Sequence, residues 1–164
     1  MITGMHRHHL TAAILATLLV LSPAAAAAKD MSGRLGLGGE VSSVSGLSMK
    51  YWLSNVGFQA VVGIGITKPE EDVRWDFGLT LRGLFNLSRT EHTHLFVGGG
   101  LQLQAVIGGG GDSQHVELLL GVEHFFSNYF AISGHLGVRI GLSGPTEVSL
   151  GQLPSWGATF HYYF

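Results

Sequence analysis

The chain has 164 residues, nine Lys and Arg against eleven Asp and Glu, no cysteine, and a positive mean hydropathy of +0.32. The missing cysteine excludes a disulfide framework and thiolate chemistry. The lack of any basic run or patterned Lys and Arg stripe argues against a nucleic-acid partner.

Residues 1–28 read as a secretory signal peptide. Arg7, among His6, His8 and His9, forms a basic start, and Leu10 to Leu21 is an apolar stretch too short to span a membrane as a helix. Pro23 breaks that stretch, and Ala24 to Ala28 supplies the small residues of a cleavage site before Lys29. Residues 29–164 then form one domain, with eight basic side chains against eleven acidic ones once Arg7 is removed. No later run of about 18 apolar residues suggests a membrane helix.

Alternation with a period of two marks the rest as strands. Leu35 and Leu37 oppose Arg34, Gly36 and Gly38. Leu47, Met49 and Tyr51 oppose Ser48, Lys50 and Trp52. Phe58, Ala60, Val62, Ile64 and Ile66 form the apolar parity of a third strand. The clearest segment runs from Val73 to Leu87, with Trp75, Phe77, Leu79, Leu81 and Phe85 on one face and Arg74, Asp76, Thr80 and Arg82 on the other. Leu95 to Ile107 sets its apolar residues against Gln102 and Gln104; Val116 to Val122 sets its own against His115, Glu117 and Glu123. Phe130 to Leu142 opposes His135 and Arg139. Trp156, Phe160, Tyr162 and Phe164 line one face of the final strand.

Short polar connections at 53–55, 88–91 and 127–128 alternate with others near 41–46, 67–72, 108–114 and 143–155. Eight strands joined in this way predict an all-β, eight-stranded antiparallel up-and-down barrel. Both termini and the short turns would face the periplasm. Two barrels fit the pattern. A lipocalin-like soluble binder would turn the apolar parity inward; a transmembrane barrel would turn it toward lipid. The nearly charge-free apolar parity favours lipid, because a ligand barrel usually buries a few polar groups to orient its ligand.

An eight-stranded barrel is just wide enough for side chains to fill it, and a charge buried there needs a partner. The expected interior polar network is Arg74, Asp76, Arg82, Gln102, Gln104, His115, Glu117, Glu123, His135 and Arg139, acting as a plug.

The signal ending at Ala28, the hairpin stretch Leu47-Ser48-Met49-Lys50-Tyr51-Trp52-Leu53-Ser54, Phe125-Phe126-Ser127 before a new strand, and the terminal Phe164 resemble the OmpA/OmpX-like superfamily of Gram-negative outer-membrane barrels. The resemblance implies location in the outer membrane, contact with its lipid and lipopolysaccharide, a monomer without cofactor, and a structural role in the envelope. Narrow porin-like transport of small solutes is the alternative. It also implies that Phe160, Tyr162 and Phe164 are read by the barrel-assembly machinery. No enzyme is expected. His124-Phe125-Phe126-Ser127-Asn128 resembles the His-x-Ser-Asn stretch of lipid A deacylases, but one extra residue sends His and Ser to opposite faces. His92 and His94 lack an evident third metal ligand.

Overall fold

The structure, a computed structural model, describes residues 29–67, 74–107, 111–142, 149–150 and 155–164. The expected signal peptide and most of the connections near 67–72, 108–114 and 143–155 lie outside the described residues. The strands are β1 (Leu35–Val41), β2 (Gly46–Leu53), β3 (Val56–Thr67), β4 (Arg74–Arg89), β5 (Thr93–Ile107), β6 (Ser113–Phe125), β7 (Phe130–Gly141), the two-residue β8 (Ser149–Leu150) and β9 (Ser155–Tyr163). Each of β1 to β7 pairs antiparallel with the next, β7 pairs with β9, and β9 returns to β1 from Gly36↔Tyr163 to Val41↔Ala158. The sheet is therefore a closed barrel of eight strands. β8 is a short ladder on the end of β7, within the connection expected at 143–155.

Closure leaves no free edge around the middle of the wall. The pleat then divides every strand between two environments. Leu47, Phe58, Ile64, Leu81, Phe85, Leu101, Leu118, Ile132 and Phe160 point outward and are exposed, while Lys50, Gln59, Arg82, Gln102, Glu117 and Glu123 point inward and are buried. This is the reverse of a lipocalin-like barrel. Residues 29–34, the C-terminal Phe164 and the turns at 54–55, 90–92 and 126–129 lie at one end (the turn end); the 42–45 connection lies at the other (the loop end).

Several boundaries differ from the sequence reading. β1 continues to Val41 and carries Glu40 into the lumen at 3% exposure, where glycine-rich sequence offers little alternation to read. β4 runs through Arg89, past a register shift between Asn86 and Ser88 that disguises its last turn-end residues. Arg34 shares the interior parity but precedes β1 and stays at the rim, where its Nη1 donates to the Asn128 carbonyl at 2.7 Å. The interior is not polar throughout, either. Trp52, Phe96, Leu119, Phe125 and Met31 form an apolar cluster at the turn end.

Two glycines explain how that cluster fits within a narrow tube. A Cβ on Gly57 would stand 2.6 Å from the Trp52 ring, and one on Gly121 would stand 2.4 Å from Phe96. Only the absence of a side chain lets either ring lie over the neighbouring strand. Gly121→Val is expected to lower unfolding stability by about 1–3 kcal/mol through overpacking, with Gly121→Val/Phe96→Ala recovering part of the loss. Urea unfolding of the refolded barrel measures both, and no recovery in the double variant would show that Phe96 is not the cause.

Candidate functional site

At mid-height the lumen is crossed by a network of polar side chains. Arg82, from the middle of β4, is the hub. Its Nη1 donates to Glu40 Oε2 at 2.6 Å and its Nε donates to Glu117 Oε1, two strands away on β6. Gln59 Nε2 donates to the same Glu40 oxygen and to Ser48 Oγ, both at 2.9 Å. Ser48 Oγ in turn meets His161 Nε2 at 2.9 Å. His161 faces Glu123, whose Oε1 accepts from Lys50 Nζ at 3.0 Å and from the Tyr163 hydroxyl at 2.8 Å. Ser133 completes this end, bonded to Thr159 and within 3.5 Å of Lys50 Nζ.

Strand alternation alone puts these groups inside; register brings them together. Lys50 and Glu123 are far apart in sequence and come from β2 and β6, on opposite sides of the ring. Glu40, Lys50, Arg82, Glu117 and Glu123 therefore share a buried space. In so low a dielectric, each ion pair offsets much of the cost of stripping its members of hydration. Lys50 gains a further contact, its Nζ lying 5.4 Å from the centre of the Phe96 ring.

The turn end is stoppered, and the loop end is narrowed. At the turn end, residues 29–34 fold across the mouth instead of trailing away. Lys29 N donates to the Thr90 carbonyl at 3.1 Å, Lys29 Nζ donates to the Ser127 carbonyl at 2.5 Å, and the Lys29 carbonyl contacts His94 Nε2 at 3.2 Å. Behind that strap, Met31 is 2% exposed among the lumen aromatics. Burial against the mouth lowers the Lys29 ammonium below the ordinary lysine range, with the nearby Arg34 adding to the effect. At the loop end the β1–β2 tip bends inward. Val44 is buried against the backbones of Gly63 and Gly78, and Ser43 Oγ donates to Gln102 Oε1 at 2.8 Å.

Of the ten residues expected to form the polar network, the structure joins Arg82 directly to Glu117. Gln102 is buried and touches Ser43 and, at 3.5 Å, Arg139 Nη1. Gln104 lies higher, bonded to the Ser43 carbonyl and the Ser113 hydroxyl. Asp76 and His115 also sit toward the loop end, half-buried, and His135 is buried over Gly157. Arg74 opens β4, and its side chain lies outside the described residues. Glu123 meets Lys50 rather than an arginine. Glu40, Lys50, Gln59, Ser48, His161 and Tyr163 complete the chain and were absent from the expected set. Lys50, Ser48, His161 and Gln59 could have been added from parity alone. Glu40 could not, because the β1 pattern fades before it.

The stretch considered for deacylase-like chemistry does not assemble. His124 points outward and its Nδ1 contacts Thr93 Oγ1 at 3.0 Å, while Ser127 Oγ accepts from the backbone N–H groups of Tyr129 and Phe130. His92 is exposed near His124, whereas His94 is buried with its ring 4.8 Å from that of Phe125. Phe160, Tyr162 and Phe164 all face outward on the last strand, and Tyr162 stacks on Tyr129 with ring centres 5.9 Å apart.

The buried pair is open to a direct test. Glu123→Gln leaves the Lys50 ammonium without its counter-charge and is expected to cost about 3–5 kcal/mol. Lys50→Met combined with Glu123→Leu should recover most of that loss. Chemical unfolding of the refolded protein reads both; a single variant as stable as the parent would show that the pair carries no such charge dependence.

No family model matches the sequence, and no curated protein matches it. Solved structures do match in shape. The N-terminal β-barrel domain of Pseudomonas aeruginosa OprF aligns over 80% of this chain and 96% of its own, at 15% identity and a TM-score of 0.51. Neisserial surface protein A aligns over 80% of this chain and 94% of its own, at 12% identity and a TM-score of 0.46. The chain shares the fold of the OprF barrel domain, here a closed antiparallel β-barrel of eight strands.

Proposed function

We propose that this protein is an outer-membrane barrel of structural function, which helps hold the envelope together and passes no steady current. The observation that carries the reading is the combination of an apolar outer wall with a lumen closed by paired charges. Outward Phe, Leu, Ile and Trp side chains on every barrel strand would be a liability in water, because large exposed apolar patches drive association. Around a bilayer they are the required surface. On this reading the turn end faces the periplasm and the loop end faces outside, with residues 1–28 removed on export. Lipid and lipopolysaccharide surround a monomeric wall.

A conducting pore would need a water-filled path. Here the chain from Glu117 through Arg82, Glu40 and Gln59 to Lys50 and Glu123 crosses the lumen, with the aromatic cluster and the Met31 strap below it. The refolded protein in planar bilayers should therefore show no steady single-channel currents. Arg82→Ala, checked for folding by heat-modifiable gel mobility, should raise the leak by leaving Glu40 and Glu117 to repel each other. Steady channels in the parent protein would replace the structural reading with that of a narrow porin.

The exposed Phe160, Tyr162 and Phe164 suit recognition by the barrel-assembly machinery before insertion. Deleting Phe164 should reduce the amount recovered in the outer-membrane fraction several-fold, while leaving unfolding of the refolded barrel within about 1 kcal/mol of the parent. Normal recovery of the deletion variant would end that assignment.

A further inference from the structure

Met31 is the one side chain that residues 29–34 bury in the barrel; Asp30, Ser32 and Gly33 beside it are exposed. The segment makes its own tight bend to reach inward. Asp30 Oδ1 accepts from Ser32 N at 2.9 Å and from Ser32 Oγ at 2.6 Å, and Arg34 N donates to the Met31 carbonyl at 3.1 Å. Gly33 turns the chain with φ at +77°, a left-handed conformation that suits glycine. Among the described residues, no strand pair includes a residue before Leu35. The segment can therefore lift without breaking the barrel, and segments with few buried contacts open locally at low cost.

What lies beneath it is built by the wall. Met31 sits among Trp52, Leu84, Phe96, Leu119, Phe125 and Tyr163, which come from β2, β4, β5, β6 and β9. Tyr163 lies over Gly36, where a Cβ would stand 2.7 Å from its ring, just as Trp52 lies over Gly57 and Phe96 over Gly121. Those seats are in the strands, so the rings keep their places when Met31 withdraws.

Two polar side chains of this cup lack partners. Both amide atoms of Asn86 and Nδ1 of His94 are buried, and no hydrogen bond reaches them among the described residues. Asn86 follows Leu84 on the inward face of β4 and pairs with Phe96. The His94 ring stands 6.2 Å from that of Trp52 and 4.8 Å from that of Phe125. Buried polar groups are costly unless something bonds to them. An apolar cup with a few such groups converging is the usual lining of a small-molecule site.

We propose that residues 29–34 form a displaceable lid, and that the cup takes a small uncharged molecule of phenol type in place of Met31. Its single aromatic ring lies among the rings of the cup. Its hydroxyl meets the Asn86 amide, which offers both a donor and an acceptor. An ionised ligand is disfavoured. Lys50 and Glu123, which border the cup at Phe96 and Tyr163, already answer each other, so an added charge would stand alone. Neither lid nor cup depends on what surrounds the outer wall.

The chain has no cysteine, so an introduced thiol reports on one position. In the refolded protein, Met31→Cys should react with a water-soluble thiosulfonate at least tenfold faster than Ser48→Cys, which is as deeply buried in the lumen. A Cβ at Gly33 would meet nothing within 4 Å. Adding Gly33→Val should thus strain the lid alone and speed labelling of Met31→Cys by about tenfold, with heat-modifiable mobility unchanged. Labelling no faster than at Ser48→Cys, or unchanged by Gly33→Val, would overturn the lid. Binding of para-fluorophenol is read by fluorine NMR against protein-free micelles. A saturable shift is expected with the parent protein, at least fivefold tighter in Met31→Ala, and at least fivefold tighter than that of fluorobenzene. Asn86→Leu should erase the preference for the hydroxyl. No saturable shift with the parent would overturn the site, and equal binding of fluorobenzene would overturn the role of Asn86.

Discussion

Everything inside this barrel is arranged around the cost of keeping Arg82 away from water. A guanidinium cannot shed its proton to escape burial, so the strands about it must supply acceptors. Glu40 and Glu117 do so from β1 and β6. Two carboxylates so close would repel each other without the arginine between them. Gln59 then shares one Glu40 oxygen and passes the chain to Ser48 and His161. Glu123 answers Lys50 as Glu117 answers Arg82. The lumen is held by complementary partners rather than by close apolar packing, which takes over only toward the turn end.

The outer wall follows a simpler rule, and the sequence states it almost in full. Phe77, Leu79, Leu81 and Phe85 share one parity on β4 with Asp76, Thr80 and Arg82 on the other, and the structure separates the two sets by the width of the sheet. Period-two alternation is a local property, so one sequence suffices to read it. Partner choice is not local. Nothing within β6 shows that Glu123 meets a lysine from β2; that depends on register accumulated around the whole ring. Glu40 was hidden for a different reason, since glycines at 36, 38 and 39 erase the alternation that would have announced it.

The two ends are narrowed by different means. At the loop end, a hairpin tip tucks Val44 into space left by Gly63 and Gly78. At the turn end, aromatic rings meet edge-on and tilted behind a strap that begins at Lys29. The first closure is part of the wall and moves with it. The second is a separate segment laid over a finished opening, held mainly by main-chain hydrogen bonds at its outer end and by one buried methionine within.

That strap has a consequence for the order in which the molecule can form. Its seat is made from Thr90, His94, Phe125 and Ser127, and Tyr163 joins the same apolar cluster. The seat does not exist until β5, β6, β7 and β9 stand side by side. Residues 29–34, which precede every strand, are thus docked last, after a loop closure nearly as long as the domain, the kind of contact that slows folding most. Until then Met31 and the aromatic mouth remain exposed to each other's absence. The segment ahead of β1 acts as the latch on a door that the last strand must first hang.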